Sequence, residues 1–342
     1  MAFSFLTQEL AIDLGTANTV IYHNDEVVLD EPSIVAVEKS THKCVAVGNF
    51  AKQMQGRTNP GVETIRPLRD GVIADFDAAE MMIRGFIKKV NVNRHFLINP
   101  SIKMVVGIPA GSTEVEIRAV RDSTEHAGGR DIYLVFEPMA SALGIGLDVL
   151  APKGCMIVDI GGGTTEIAVI SLGGIVVQDS VRTAGDALTK DIQEYMRQQH
   201  SVKVGEVTAE EIKAAVGAVL PVLPPEEAPE PYKVVGPNIV TARPVEVFVT
   251  YDEIAHCLDK TISKIESAIV HVLEQTPPEP YSDIVDQGIW LAGGGALLRG
   301  LATRLTDKMN IPFHVADDPL RAVARGTNIA LKDTEHYPFL MR

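Results

Sequence analysis

Short apolar runs separated by tight polar turns open the chain. Residues 11–14 read Ala-Ile-Asp-Leu, and the polar stretch 15–19, Gly-Thr-Ala-Asn-Thr, follows them. A second apolar run at 20–22 leads through an Asn24-Asp25 turn to a third at 27–29. Apolar runs of this length, bounded by turn residues, predict three strands in a β-meander with a tight, polar first turn.

The same pattern returns one domain length later. Residues 157–170 read Ile-Val-Asp-Ile-Gly-Gly-Gly-Thr-Thr-Glu-Ile-Ala-Val-Ile, with a predicted Gly173-Gly174 turn and a further apolar run at 175–177. Asp13 and Asp159, which end the first strand of each unit, are 159 − 13 = 146 residues apart. The repeat predicts two α/β domains built on related meanders.

Helical periodicity marks three other stretches. Residues 77–90 carry apolar side chains at helical spacing. Residues 112–127 follow the capping candidates Ser112 or Thr113, and 251–275 form a long amphipathic pattern. The proline-rich stretch 221–244 predicts a loop with irregular edge strands.

Composition narrows the possible functions. The 342 residues are 46% hydrophobic and 22% charged, as in globular proteins, and the net charge of −14 makes nucleic acid a poor partner. Three widely spaced cysteines cannot form a zinc ribbon and fit a reducing cytoplasm. The start of the chain has no basic region or long apolar core, so a secretory signal is not predicted.

The two polar turns are suited to binding phosphate. Glycine and threonine let backbone N–H groups approach an anion, and threonine adds a hydroxyl donor. An adjacent aspartate would repel phosphate unless a divalent cation lay between them, so Asp13 and Asp159 are candidate Mg²⁺ sites, held directly or through water. Two such hairpins facing each other would clamp a polyphosphate. Two ordinary glycine-containing hairpins remain the alternative.

A third glycine cluster follows the apolar run 289–292. It reads Gly-Gly-Gly at 293–295 and continues with Ala296 and Leu297. Glycines at a strand-to-helix junction allow a flat ligand or a phosphate to approach the backbone. As the third member of the set, this cluster predicts the adenine and ribose end of a nucleotide site.

These motifs resemble the actin and heat-shock chaperone ATPase superfamily, and within it the MreB family of bacterial actin homologues. The matching stretches extend over about residues 9–330 and lie at 12–19, 31–33, 66–67, 70–76, 137–140, 158–166 and 293–300. The resemblance implies an actin-like ATPase fold of two duplicated α/β domains, each with a smaller subdomain, and a nucleotide in the cleft between them. The expected boundaries are 1–145 with 320–342 for domain I (subdomain IB at 33–75) and 146–319 for domain II (subdomain IIB at 182–248).

The resemblance also assigns candidate ligands for ATP and Mg²⁺. The phosphate contacts would come from Thr16, Ala17, Asn18, Gly161, Gly162, Gly163 and Thr164, and the adenosine contacts from Gly293, Gly294, Gly295, Ala296 and Leu297. Asp13 and Asp159 would hold Mg²⁺, with water in between. Glu210, Glu211 and Lys213 would lie near ribose and base, although Thr208 and Glu211 also have the spacing of a capping box that opens a helix.

Glu137 is the candidate that orients the attacking water. It follows the apolar run 132–136 and precedes Pro138, which favours the first turn of a helix. A carboxylate at such a strand end can hold a water or accept a proton, and a helix-capping glutamate is the alternative. In MreB-like proteins the catalytic glutamate lies in this motif.

The implied function is ATP-dependent polymerisation of a cytoskeletal protein that organises wall elongation and rod shape, with ATP hydrolysis weakening the filament. Its partners would be further copies of the chain in paired protofilaments, with Val115 near that contact, and membrane proteins of the wall machinery. The apolar residues Phe3, Phe5, Leu6, Phe96 and Leu97 are candidates for insertion at the inner face of the plasma membrane, or for docking on the protein's own core.

Two other functions within the superfamily remain possible. A sugar or acetate kinase would need a second substrate pocket with its own base, and no motif supports one. A chaperone ATPase would need a substrate-binding β-domain after the ATPase. The pattern GxxxxGK[ST] does not occur in the sequence, which excludes a P-loop NTPase.

Overall fold

The computed structural model describes residues 7–90 and 101–342. The strands are β1 (Thr7–Leu14), β2 (Asn18–His23), β3 (Glu26–Pro32), β4 (Val35–Glu38), β5 (Lys43–Val47), β6 (Val62–Ile65), β7 (Leu68–Arg69), β8 (Val72–Ile73), β9 (Ser101–Ile108), β10 (Gly129–Phe136), β11 (Cys155–Ile160), β12 (Thr165–Ser171), β13 (Gly174–Val181), β14 (Tyr232–Pro237), β15 (Pro244–Val249), β16 (Ile289–Ala292) and β17 (Phe313–Val315). The helices are α1 (Asn49–Met54), α2 (Phe76–Val90), α3 (Glu114–His126), α4 (Glu137–Gly144), α5 (Gly185–Gln199), α6 (Glu206–Val216), α7 (Tyr251–Gln275), α8 (Pro278–Gln287), α9 (Leu301–Met309) and α10 (Ala322–Lys332), with short 3₁₀ turns at Gly294–Leu297 and Pro319–Arg321.

Two five-stranded sheets repeat one topology. The first has the order β10-β9-β1-β2-β3 and the second β13-β12-β11-β16-β17. In each, an antiparallel meander is extended on one side by parallel strands, β9 and β10 in the first and β16 and β17 in the second. The predicted duplicated meander is therefore confirmed.

The hairpin turns are of the type that a right-handed strand twist favours. Asn24 and Asp25 have φ of 51° and 67°, as a type I′ turn requires. In the second unit, Leu172 and Gly173 have φ of 53° and 71°. The predicted Gly173-Gly174 turn is therefore wrong by one residue, because Gly174 already pairs with Ser171 in the ladder of β12 and β13.

Three apolar clusters hold these layers together. One packs the first sheet against α2 and α3, and another packs the second sheet against α5, α6, α7 and α9. The third lies between the two sheets and contains the buried faces of α4 and α10. The helix α4 begins with Glu137, so the core between the sheets sets the position of that side chain.

The α4–α10 crossing depends on two glycines. A Cβ on Gly326 would overlap the carbonyl group of Ala140, and one on Gly144 would overlap that of Ala322. Because backbone meets backbone at this crossing, neither position has room for a side chain.

The predicted helices are confirmed, with one correction at a helix start. Thr113 caps α3 in a capping box with Glu116, and α7 begins after Thr250. The capping box predicted for Thr208 and Glu211 is wrong, because the N-cap of α6 is Gly205, three residues before Thr208, and the helix has no side-chain cap.

Smaller sheets lie within the predicted subdomains. The strands β4, β5 and β6 form one sheet within 33–75, and β14 pairs with β15, which ends at Val249, one residue beyond the range 182–248. The domain boundaries given above stay a prediction. No helix within 7–90 or 101–342 is both long and apolar enough to cross a bilayer.

Candidate functional site

A cavity of about 500 Å³ lies between the two sheets. The turn after β1, the turn after β11 and the glycine cluster after β16 all line it. The predicted site residues in its wall are Asp13, Thr16, Ala17, Asn18, Glu137, Asp159, Gly161, Gly162, Gly163, Thr164, Glu210, Lys213, Gly293, Gly294, Gly295 and Leu297. The fold thus brings to one site residues that are up to 297 − 13 = 284 positions apart.

The turn at 15–17 after β1 and the turn at 161–164 after β11, called here the first and second phosphate-type turns, approach each other directly. A Cβ on Gly162 would lie 2.8 Å from the Cβ of Ala17, and one on Gly163 would lie 2.8 Å from Thr16 Oγ1 and 2.9 Å from the backbone of Asp70. Only glycine lets the backbones come this close. The second turn therefore reaches across to the first, as the duplicated pattern predicts.

Two residues outside the predicted set support the first turn. Ser33 Oγ donates to the Gly15 carbonyl at 2.6 Å and lies 2.9 Å from Thr19 Oγ1, while the Ser33 N–H donates to the Ala17 carbonyl at 2.9 Å. The Gly71 N–H donates to Thr16 Oγ1 at 3.0 Å. Both residues lie in stretches that match the family motifs, at 31–33 and 70–76, and this match is the feature of the sequence that could have identified them.

Carboxylates are concentrated at the floor of the cavity. Burial, then the charges of Asp159 and Asp30, raise the pKa of Asp13 from 3.8 to about 7. Burial raises the pKa of Asp159 to about 6, opposed by the nearby Ser141 hydroxyl. Burial, followed by the charges of Glu166, Asp13 and Asp159, raises the pKa of Glu137 well above its usual value.

This arrangement fits a divalent cation. Asp159 is 6% exposed, and its Oδ2 has no hydrogen-bond partner among the described residues. A buried carboxylate oxygen without a partner is costly unless a cation or its bound water takes that place. Asp13 and Asp159 on the two opposed hairpins therefore suit Mg²⁺ together with a polyphosphate.

The opposite end of the cavity is formed by α6 and the glycine cluster. Lys213 donates to the Gly185 carbonyl at 2.8 Å and to Thr189 Oγ1 at 2.7 Å, and burial lowers its pKa. Glu210 also lines the cavity. Glu211 is exposed and Ala296 is buried, and neither of them is in the cavity wall, so their predicted contacts gain no support from the geometry.

Ion pairs close the mouth of the cleft between the two smaller subdomains. Arg66 bonds both carboxylate oxygens of Asp186, at 3.0 and 2.8 Å, and Glu206 at 2.8 Å. Lys52 Nζ lies 3.1 Å from Glu210 Oε2. No local pattern predicts these pairs, because the partners are more than a hundred positions apart in the chain.

Other predicted contacts lie elsewhere. Val115 is 78% exposed on α3, away from the cavity. The candidate membrane residues Phe3, Phe5, Leu6, Phe96 and Leu97 lie outside the described residues.

Known proteins share both the sequence and the fold. The family described as MreB/Mbl protein matches residues 7–338. The cell shape-determining protein MreB of Escherichia coli (strain K12) is 46% identical over 331 residues, covering 95% of this chain and 94% of that protein. The cell shape-determining protein Mbl of Bacillus subtilis (strain 168) is 41% identical over 332 residues, covering 97% and 98%.

A solved structure extends this likeness to the fold. The crystal structure of MreB5 of Spiroplasma citri bound to AMPPNP has a TM-score of 0.88 and 34% sequence identity, covering 96% of this chain and 97% of that one. The predicted actin-like architecture, including the cleft between duplicated domains, is therefore confirmed.

Proposed function

Because this chain belongs to the MreB/Mbl family of actin-like proteins, we propose that it is an ATP-dependent, filament-forming protein of the bacterial cytoskeleton. It binds ATP with Mg²⁺ between its two domains, polymerises in that state, and hydrolyses the nucleotide in the filament. Its cellular role is to organise wall elongation and cell shape, as the names of its curated relatives indicate for those proteins.

The observation that carries this proposal is the pair of opposed hairpins. Each presents a Gly/Thr turn and an aspartate to one cavity, and the turns approach so closely that glycine is required. A relative of the same fold was crystallised with the ATP analogue AMPPNP. The family match over residues 7–338 favours this function over a sugar or acetate kinase.

Different residues of the chain bind the phosphates, hold the metal ion and activate the attacking water. Backbone N–H groups of the two turns and the Thr16 and Thr164 hydroxyls bind phosphate oxygens. Asp13 and Asp159 would hold Mg²⁺, which would supply positive charge against the phosphates. Glu137, whose pKa burial raises above its usual value, orients the attacking water and accepts its proton, because a raised pKa makes a carboxylate a stronger base.

Light scattering with a parallel phosphate-release assay tests the proposal. The wild-type protein is expected to scatter light only after ATP and Mg²⁺ are added, and to release phosphate as filaments form. A Glu137→Gln variant should still polymerise but should hydrolyse ATP about 100-fold more slowly. Wild-type protein that neither scatters light nor releases phosphate would refute the function, and undiminished hydrolysis by the variant would refute the role of Glu137.

We also propose that the filament lies on the inner face of the plasma membrane. The sequence expectation is that Phe3, Phe5 and Leu6, together with Phe96 and Leu97, insert into the lipid surface. Deletion of residues 2–6 combined with Phe96→Ser and Leu97→Ser should abolish pelleting with anionic liposomes while ATP-dependent scattering persists. Unchanged pelleting would contradict this proposal and leave the polymerisation proposal intact.

Self-association and contacts with membrane proteins of the wall machinery complete the proposed role. Val115 is exposed on α3, as a residue at a contact between paired protofilaments must be. A coupled assay with simple sugars and with acetate, showing no ATP-dependent phosphorylation, would distinguish this function from the kinase alternative.

A further inference from the structure

Glu166 is a buried carboxylate beside the cavity for which the proposed function gives no role. It is only 1% exposed and lies on β12, one residue after the strand begins. In the ladder of the second sheet it pairs directly with Asp159 on β11 and with Ser180 on β13. Directly opposed residues of antiparallel strands point to the same face, so Asp159, Glu166 and Ser180 form one row across the sheet.

The two oxygens of Glu166 join the two halves of the molecule. Oε1 accepts a hydrogen bond from Ser180 Oγ at 2.7 Å, within its own sheet. Oε2 accepts one from the Ala110 N–H at 3.1 Å, in the loop that follows β9 of the first sheet. Gln178 Nε2 adds a bond to the Ala110 carbonyl at 3.4 Å. The loop at 109–111 is thus fixed to the second sheet by its backbone.

The first half of the duplication has no such group. There, Asp13 pairs with Val20 across β1 and β2, at the position equivalent to Glu166. Val20 is buried in the apolar cluster between the sheets. A buried carboxylate costs far more to fold than a buried valine, so the carboxylate in only one of two equivalent hairpins indicates a task beyond packing.

The anchored loop touches both parts of the candidate hydrolysis machinery. A Cβ on Gly71 would meet Thr164 Cγ2 at 2.8 Å and Pro109 Cγ at 2.9 Å, so the loop packs beside the second phosphate-type turn. At the end of β9, just before this loop, a Cβ on Gly107 would lie 3.6 Å from Glu137 Cγ. Among charged groups, Glu166 has the largest effect on the pKa of Glu137.

Building on the proposed function, we propose that Glu166 is a positioning residue for ATP hydrolysis. By anchoring the loop at 109–111 across the cleft, it fixes the second phosphate-type turn relative to Glu137. ATP binding uses contacts spread over the two turns, α6 and the glycine cluster after β16, whereas hydrolysis also needs Glu137 aligned with the terminal phosphate. Loss of the anchor should therefore lower kcat and leave KM for ATP nearly unchanged.

Steady-state ATP hydrolysis of graded variants tests this inference. Glu166→Ala removes both bonds, Ser180→Ala removes only the bond within the sheet, and Glu166→Gln keeps the shape with a single acceptor oxygen. We expect kcat to fall about 10- to 100-fold in Glu166→Ala and less in the other two, with KM within about threefold of wild type, since a misplacement of about 1 Å can have this effect. Glu166→Gln and Ser180→Ala keep the test decisive if Glu166→Ala does not fold.

The control is a buried carboxylate remote from the cavity. Glu266 is 0% exposed and is paired with Arg304 and Lys308 on α9. Glu266→Gln should lower thermal stability while leaving kcat at the wild-type value. Hydrogen exchange should speed up at the Ala110 amide in the Glu166 variants and stay unchanged in the control.

Each outcome separates this inference from the proposed function. Active wild-type protein with unchanged kcat in all Glu166 and Ser180 variants would overturn the positioning role and leave the function standing. An equal loss of kcat in Glu266→Gln would also overturn it, because the effect would then be general destabilisation. Wild-type protein without ATP-dependent filaments or hydrolysis would overturn the function, and this inference with it.

Discussion

The crossing of α4 and α10 offers a sharp test of how packing positions the site. In an open helix, Gly326→Ala would stabilise the chain by about 1 kcal/mol, because alanine is the better helix former. Here the new Cβ would lie 2.5 Å from the carbonyl carbon of Ala140, whereas ordinary contacts between carbon atoms are about 3.5–4.0 Å. The two helices would have to separate by about 1 Å.

The cost can be worked from this separation. A gap of about 1 Å removes roughly a third to a half of the dispersion energy of each contacting pair, and about 40 pairs at about 0.15 kcal/mol then lose about 2–3 kcal/mol. Overpacking strain adds about 1–3 kcal/mol, and the gain in helix propensity returns about 1 kcal/mol. The net destabilisation is about 2–5 kcal/mol, which for a chain of this length corresponds to a fall in Tm of about 3–7 °C.

Calorimetry measures the predicted change in Tm, and an ATP hydrolysis assay at temperatures below the unfolding transition measures the predicted effect on activity. Gly174→Ala is the matched control, because its Cβ would meet only the Ser171 carbonyl oxygen, at 3.8 Å, and should change Tm little. Because α4 begins with Glu137, Gly326→Ala should also slow ATP hydrolysis at temperatures where the protein is folded. A Tm for Gly326→Ala equal to or above wild type would refute the argument.

Three further predictions follow from the charges and the exposed surface. Arg66→Ala removes the ion pairs across the cleft mouth and should weaken ATP binding about fivefold by favouring the open state, whereas Lys39→Ala, at an exposed pair, should not. Fluorescent-nucleotide titration measures this, and equal affinities would contradict it. Burial raises the folded-state pKa of Asp13 to about 7, above its unfolded value of 3.8, so the stability it contributes is present below pH 4 and is lost as the pH rises through 7. The Tm of nucleotide-free protein should therefore fall between about pH 4 and 7, and less steeply in Asp13→Asn; identical slopes would refute this. Val115→Glu should leave single filaments but abolish paired ones in electron micrographs, with Val222→Glu, also exposed, as the control; persistent pairs would exclude this contact.

Local chemistry was sufficient to predict much of the site. The strand–turn–strand pattern at Asp13 and Asp159 identified both phosphate-type turns, since glycine, threonine and a terminal aspartate leave few alternatives at such a position. Helix α3 and its Thr113 cap could also be predicted from the sequence, because capping depends on residues within one helical turn. At α6 the same rule failed, because the helix begins at Glu206 and Thr208 lies within its first turn instead of at its N-cap.

The sequence by itself determined the duplicated hairpins, the helix faces and the glycine, threonine and aspartate residues of the two turns, because these depend on neighbours along the chain. Only the tertiary structure decided that Arg66 meets Asp186, that Ser33 supports the first turn, and that Glu166 links the Ala110 loop to Ser180. Those contacts depend on how two separately patterned sheets dock. The docking is set by the summed packing of the core between them, and no local spacing in the chain records it.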